Sequence, residues 1–288
     1  MKHEKFSPDV LQRLFVAVEE DDIIDRHAAL PEHIPPYSTE DTLRRCYDLC
    51  LQFWQEGFTR SELLRLVLKQ LQGGELSENE RMQYKYIRAR YKHLRFALRL
   101  YRKTHQSGLI FGKTTVFLGH FQDGFRNGNR TIIATYGRRL RVCLSRPVWW
   151  VVQYSLRHSQ PESANGFAFY CQTQMRTLRD LIAQPQLTGS EFHTMRKIIS
   201  QQVSYFDTLR ALDPDNHNAR AISRFLATIN GLMGDRHDEM VTAAMEMRTP
   251  YDEPCTLDSE IRGRIEQWLD HYPLQMEQHR APHCGPAK

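Results

Sequence analysis

The chain has 288 residues, a mass of 33.9 kDa and a formal net charge of +5, which is enough for one large domain or two small ones. An apolar fraction of 41% with four Trp argues against a disordered protein. No stretch approaches roughly eighteen uninterrupted apolar residues, and the N-terminus MKHEKFSPDV has no apolar signal core, so we expect a cytoplasmic protein that spans no membrane. The six cysteines form no CxxC pair, which favours reduced thiols over a disulfide framework.

The first segment, residues 1–37, is predicted to be an acidic arm that ends in a proline-rich linker. Ser7 and Pro8 predict the start of a short helix over residues 8–25, and three prolines follow between His27 and Tyr37. Because this arm is acidic and a later part of the chain is basic, one hypothesis is that the arm competes with an anionic ligand for that basic region. The remaining residues, 38–288, are predicted to form a helical domain.

Four capping-box patterns predict where helices begin in that domain: Ser38 with Asp41, Thr59 with Glu62, Ser77 with Glu80, and Thr188 with Glu191. The corresponding helices are expected near residues 39–56, 60–72, 78–105 and 190–212. Apolar periodicity predicts further helices at 166–184, 215–233, 235–248 and 258–272. The predicted fold class is therefore mainly α, a helical bundle.

Residues 110–157 do not fit this pattern well. They are rich in β-branched and aromatic residues, and turn-forming residues such as Asn127-Gly128-Asn129 divide them. This composition predicts a small basic β-rich insertion, although buried helices with β-branched cores give a similar pattern.

Positive charge is concentrated in the middle of the chain. Residues 81–148 carry sixteen Lys/Arg against one Asp/Glu, whereas residues 1–80 carry nine against sixteen and residues 149–288 carry fourteen against seventeen. Such a local field attracts an anion, for example nucleic acid, polyphosphate or an anionic membrane.

Seven of these basic residues fall on one face of the helix predicted from residue 78. At 100° per residue they occupy a band about 100° wide over roughly 31 Å of helix. Repulsion between like-charged neighbours should cost roughly 1 to 3 kcal/mol, with no local carboxylate to offset it. An external polyanion would remove that cost. The seven residues are Arg81, Lys85, Arg88, Lys92, Arg95, Arg99 and Arg102.

Two short motifs resemble the conserved histidine α-helical domain (CHAD) family, whose half-repeats carry an H-x-x-R-type helix start and a later L-G-x-x-x-D turn. One half contains His193-Thr194-Met195-Arg196-Lys197 and then Gly234 with Asp238, and the closing segment at Trp268 also resembles that family. The other half contains the basic helix from Lys92, where the family has histidine, and then Leu118-Gly119 with Asp123. The half-repeats would span about 78–125 and 188–272.

This resemblance implies two four-helix bundles with a basic groove that binds inorganic polyphosphate or another linear polyanion, without catalysis, cofactor or metal. The seven residues of the basic face, together with His193, Arg196 and Lys197, would form the polyanion site. Arginine suits such a ligand because its guanidinium forms forked hydrogen bonds to phosphate oxygens, while lysine supplies point charge.

Two other function classes fit parts of the sequence. An RNA/DNA-binding module would stack bases on Trp149, Trp150 and Tyr154 if residues 110–157 form a basic aromatic β-platform. A metal-dependent phosphohydrolase would hold a divalent metal with His193, His237 and Asp238. For the last motif we favour a structural interpretation, in which Asp235 caps a helix.

Overall fold

The computed structural model describes residues 3–32, 34 and 38–273, and within them the chain forms helices and no strand. This confirms the predicted mainly-α fold class. The eleven helices of this part are α1 (Pro8–Glu19), α2 (Glu40–Glu56), α3 (Arg60–Leu71), α4 (Glu78–Tyr101), α5 (Leu109–Arg126), α6 (Arg130–Cys143), α7 (Arg146–Arg157), α8 (Ala164–Ile182), α9 (Gly189–Leu212), α10 (His217–Met245) and α11 (Ser259–His271).

Capping boxes begin α3, α4 and α9, as predicted from Thr59, Ser77 and Thr188. In α4 the Ser77 hydroxyl accepts a hydrogen bond from the Glu80 amide at 3.3 Å, and the Glu80 carboxylate accepts from the Ser77 amide at 2.9 Å. These reciprocal bonds satisfy backbone N–H groups that have no partner inside the helix.

Several predicted boundaries are wrong. Thr39 rather than Ser38 caps α2, since the Thr39 hydroxyl accepts from the Thr42 amide at 3.2 Å. Helix α1 ends at Glu19 instead of residue 25, and α4 ends at Tyr101 instead of residue 105. The two helices predicted at 215–233 and 235–248 are one continuous helix, α10. Asp235 therefore lies inside a helix and does not cap one.

The two 24-residue helices α4 and α9 pack against each other in the interior. The predicted apolar side of α4 is buried, including Leu94 and Leu98, which are both 0% exposed. His93 is buried where the helices meet, 3.2 Å from the Thr208 hydroxyl and 3.2 Å from the Ser204 hydroxyl. Helix α5 follows α4, and α10 follows α9, as the second member of each helix pair.

The prediction of a β-rich insertion at 110–157 is wrong, because these residues lie in helices α5, α6 and α7 and the turns between them. Their β-branched and aromatic residues supply the buried faces of these helices, among them Phe111, Phe121 and Ile133. Burial against neighbouring helices outweighs the weak intrinsic preference of such residues for strands.

The predicted acidic arm is not separate from the helical domain. Leu14 and Val18 of α1 are buried together with Leu49, Phe53 and Ala211 of α2 and α9. The boundary predicted at residue 37 therefore does not divide the core. Part of the predicted linker and the chain after residue 273 lie outside the described residues.

Among the described helices, none combines the length and the apolar character that crossing a bilayer requires. The cysteines Cys46, Cys50 and Cys171 are buried free thiols, as the sequence predicted, and Cys143 and Cys255 are partly exposed free thiols. Cys284 lies outside the described part of the chain. Burial raises the pKa of Cys50 and of Cys171 to about 12, so both are neutral at physiological pH.

Candidate anion-binding groove

Helices α4 and α9 bring the two predicted sets of basic residues together, although they are about a hundred residues apart in sequence. Lys197 of α9 is close enough to Arg95 and Arg99 of α4 for their charges to lower its pKa, in addition to the effect of burial. The pKa of Arg196 in α9 is lowered by burial and also by the charge of Arg88 in α4. We call the surface between these helices the basic groove, and its members are Arg88, Lys92, Arg95, Arg99, His193, Arg196 and Lys197.

Most of the groove cations have no acidic partner. Among the described residues, Arg88, Arg95, Arg99, Arg196 and Lys197 make no ion pair, although Arg88, Arg95, Arg99 and Arg196 are partly buried. The Nε atom of Arg99 is buried and has no hydrogen-bond partner in the described part of the chain. Half-buried guanidinium groups without counterions are unfavourable, so a negative charge beside them would be stabilising.

Burial and the charges of neighbouring cations both lower the pKa values of the groove residues. Burial, and then the charge of Arg99, lowers the pKa of Arg95. The pKa of Arg196 is lowered mainly by burial, while the carboxylates of Asp238, Asp21 and Asp22 act in the opposite direction. An anion placed between these cations would relieve both desolvation and repulsion.

Two histidines lie beside the cations. The rings of His193 in α9 and His237 in α10 are stacked with centroids 5.3 Å apart, and the buried Nδ1 atom of each has no hydrogen-bond partner among the described residues. Burial, Lys197 and His237 lower the pKa of His193 to about 4. The pKa of His237 is also lowered, chiefly by burial and by Arg196. His193 is therefore neutral at pH 7.

One carboxylate from the acidic N-terminal segment does reach the groove. Asp21 lies 3.1 Å from Lys92 Nζ, and its backbone oxygen accepts a hydrogen bond from the Asn230 side chain at 2.7 Å. The chain passes so close to Gly231 that a side chain there would overlap the Asp22 carbonyl. The hypothesis of an acidic competitor thus has one ion pair in its favour, at Lys92, and the carboxylates of Asp21 and Asp22 also raise the pKa of Arg196.

The three outer residues of the predicted face lie apart from this arrangement. Arg81 and Lys85 are exposed near the start of α4, and Arg81 donates to the Leu76 carbonyl at 3.1 Å. Arg102 follows the last residue of α4, and its backbone forms an isolated antiparallel β-bridge with Pro161. The structure therefore unites seven of the ten predicted site residues and leaves these three outside the groove.

Two groove arginines lie next to glycines on the second helix of each pair. A Cβ atom on Gly119 of α5 would lie 3.5 Å from Arg88 Nη2, and one on Gly234 of α10 would lie 3.2 Å from Arg196 Nη2. Both glycines belong to the CHAD-like motifs, but each lies within a helix rather than in a turn. A side chain at Gly119 would make an ordinary contact with Arg88, and one at Gly234 would require a small shift of the Arg196 guanidinium.

Comparisons of this chain with protein-family models, with curated proteins and with solved structures found no match. The interpretation of the groove depends on its own geometry and charge.

Sequence reasoning missed two cations at the edge of the groove. Lys113 of α5 and Arg139 of α6 line a cleft together with Arg95, and the cleft also borders Gly108 and Gly112. The guanidinium of Arg139 lies 5.4 Å from the ring centroid of Phe117, which holds it in place. Both lie in the acid-poor segment 81–148, but neither was among the predicted polyanion-binding residues.

The structure also places the residues of the two alternative sites, the nucleic-acid platform and the phosphohydrolase metal site. Trp149 is partly buried and packs against Trp54 with ring centroids 5.1 Å apart, whereas Trp150 and Tyr154 are exposed on α7. For the phosphohydrolase, His237 lies 3.6 Å from Asp238 and beside His193. However, no three or more His, Cys, Asp or Glu side chains within the described residues are placed to hold a metal ion.

Proposed function

We propose that this protein is a non-enzymatic polyanion-binding protein whose basic groove holds inorganic polyphosphate. The observation that carries the proposal is the convergence of cations from α4 and α9 in one groove, with Lys92 as the only member paired to a described carboxylate. Guanidinium groups such as those of Arg95 and Arg99 bind phosphate oxygens through paired hydrogen bonds. The CHAD-like motifs in both halves of the chain support the same function.

The length of the cationic row favours a linear ligand over a compact one. The α4 cations from Arg88 to Arg99 extend over roughly 16 Å of helix. A single phosphate or carboxylate would neutralise only one or two of them, and the remaining repulsion would persist. A flexible chain of closely spaced phosphates neutralises the whole row, and it can also contact Arg196 and Lys197 on the opposite helix.

Calorimetric titration with long-chain polyphosphate, tripolyphosphate and orthophosphate tests the proposal. We expect affinity to increase with chain length and to fall steeply when the salt concentration is raised, because each phosphate contact releases bound counterions. Absence of polyphosphate binding at low salt would contradict the proposal.

The contact between Asp21 and Lys92 gives a prediction of its own. Replacing Asp21→Asn removes the carboxylate but preserves the backbone bond to Asn230, so polyphosphate affinity should rise about two- to fivefold at low salt, the range of a partly exposed ion pair. Deleting residues 1–37 is a poorer test, because Leu14 and Val18 belong to the core.

The matched control is Asp180→Asn, which makes the same change in net charge at an exposed position of α8. Titration calorimetry of both variants separates the two explanations. Equal gains in the two variants would mean that net charge, and not release of Lys92, controls the affinity.

A further inference from the structure

A second surface, distinct from the basic groove, lies on helix α7. Three aromatic side chains follow one another at four-residue spacing and stack on each other, two of them on this helix and the third, His158, directly after its last residue. The Trp150 and Tyr154 ring centroids are 5.5 Å apart with planes 21° from parallel, and those of Tyr154 and His158 are 4.1 Å apart at 27°. Trp150 is 66% exposed and Tyr154 is 53% exposed. We call these three residues the aromatic ladder.

The ladder borders a cleft of about 500 Å³ that is also lined by Arg60, Arg146 and Arg157. Among the residues that the structure describes, no Asp or Glu lines this cleft, and none occurs in the sequence between Asp123 and Glu162. Within the described part of the chain none of the three arginines makes an ion pair, and the only hydrogen bond from their side chains is Arg60 to the Leu144 carbonyl at 2.8 Å.

One side of the cleft is therefore lined by the positively charged arginines, and the other side is lined by the faces of the aromatic rings. Packing does not account for the exposed rings, since Val152 and Leu156 are the buried residues of α7 and supply its contact with the core. Exposed aromatic side chains beside unpaired arginines are the combination that binds a nucleobase and its phosphate together.

We propose that the aromatic ladder and its three arginines bind single-stranded nucleic acid, with a base stacked on the outer face of Trp150 and phosphates held by Arg60, Arg146 and Arg157. The near-parallel ring planes favour a base, because a further flat ring extends the stack. An anionic membrane fits less well, because a bilayer needs a protruding apolar surface and this surface is concave and lined by arginines. Sequence suggested a nucleic-acid platform made of strands, whereas the structure places its exposed aromatic residues on one helix.

The test compares two oligonucleotides of equal length, oligo(dT) and an abasic strand with the same phosphates but no bases. Trp150→Ala should weaken oligo(dT) binding by about tenfold, in the range found for loss of one base-stacking contact, and should leave abasic-strand and polyphosphate binding unchanged. Binding of oligo(dT) to the unaltered protein should quench the tryptophan fluorescence, and the Trp150→Ala variant should lose most of this quenching. Trp54 and Trp268 are fully buried, and Trp149, which also lines the cleft, is only partly exposed and packs against Trp54.

Phe169→Ala is the matched control, since Phe169 is an aromatic residue of α8 that is 68% exposed. Circular dichroism of each variant checks that it is folded. Unchanged oligo(dT) affinity in Trp150→Ala would overturn the inference. The inference would also be overturned if Trp150→Ala no longer bound vesicles containing phosphatidylserine but still bound oligo(dT). That result would assign the ladder to a membrane surface.

Discussion

Neutralising two groove arginines, Arg95→Gln with Arg99→Gln, should weaken polyphosphate binding about 100-fold. Each guanidinium loses charge-assisted hydrogen bonds to phosphate, and about tenfold per residue is at the low end for such bonds, as expected for half-buried side chains. The same variant should be slightly more stable than the unaltered protein without ligand, with an unfolding midpoint about 1 to 2 °C higher, because mutual repulsion of Arg95, Arg99 and Lys197 is reduced.

This pair of opposite effects is what distinguishes a binding site from a structural one. A residue that stabilises the fold lowers the melting temperature when it is removed, whereas a residue kept for its ligand weakens binding and leaves the free protein as stable or more stable. Thermal unfolding with and without polyphosphate, together with calorimetric titration, measures both quantities.

The control is Arg126→Gln with Arg138→Gln, which removes the same charge from exposed positions of α5 and α6 outside the groove. We expect less than a threefold loss of affinity there, since exposed charges are screened. If the control pair weakened binding as much as the groove pair, diffuse surface charge would explain the affinity and the groove would have no special role.

Acidification should strengthen polyphosphate binding. In the free protein the pKa of His193 is about 4, because the ring is partly buried and faces Lys197, Arg196 and Arg95, with His237 beside it. A bound polyanion supplies the missing negative charge and raises this pKa toward its ordinary value near 6.5, so binding takes up a proton. Allowing for screening of this half-exposed ring, affinity should rise about tenfold between pH 7 and pH 4.5.

Stability of the free protein should change in the opposite direction. Because the folded pKa of His193 lies below the unfolded one, the unfolded chain binds the proton more readily, and stability is lost as the pH falls from about 6.5 to about 4. Polyphosphate should restore that loss. The relevant charges around the ring come from α4, α9 and α10, and the neighbouring carboxylate, Asp238, acts on His237.

The variant His193→Gln should reduce the pH dependence of binding and leave the affinity at pH 8 within about twofold, because the imidazole is neutral there. His217→Gln, at the exposed start of α10, should retain the parent pH profile. Titrations at several pH values give the number of protons taken up. A profile for His193→Gln identical to that of the parent protein would show that another group takes up the proton.

Local chemistry made much of the fold predictable. The capping boxes at Thr59, Ser77 and Thr188 give the starts of α3, α4 and α9 because they satisfy backbone donors with side chains only three residues away. The segment 110–157 was predicted poorly because the β-branched and aromatic content that favours strands also suits buried helix faces. The helix assignment there depends on packing partners that are distant in sequence.

Local spacing in the sequence was enough to predict that α4 would carry a cationic face with no acid from its own neighbourhood, because charges three and four residues apart must share one side of a helix. It could not determine whether carboxylates from elsewhere would neutralise that face, since this depends on how distant segments pack. Only the tertiary structure shows that Asp21 reaches Lys92 and that Arg88, Arg95 and Arg99 face the cations of α9 with no ion pair to any described residue. Its packing places Arg196, Lys197 and His193 opposite α4, so the one-sided helix predicted from local spacing becomes one wall of a two-sided groove.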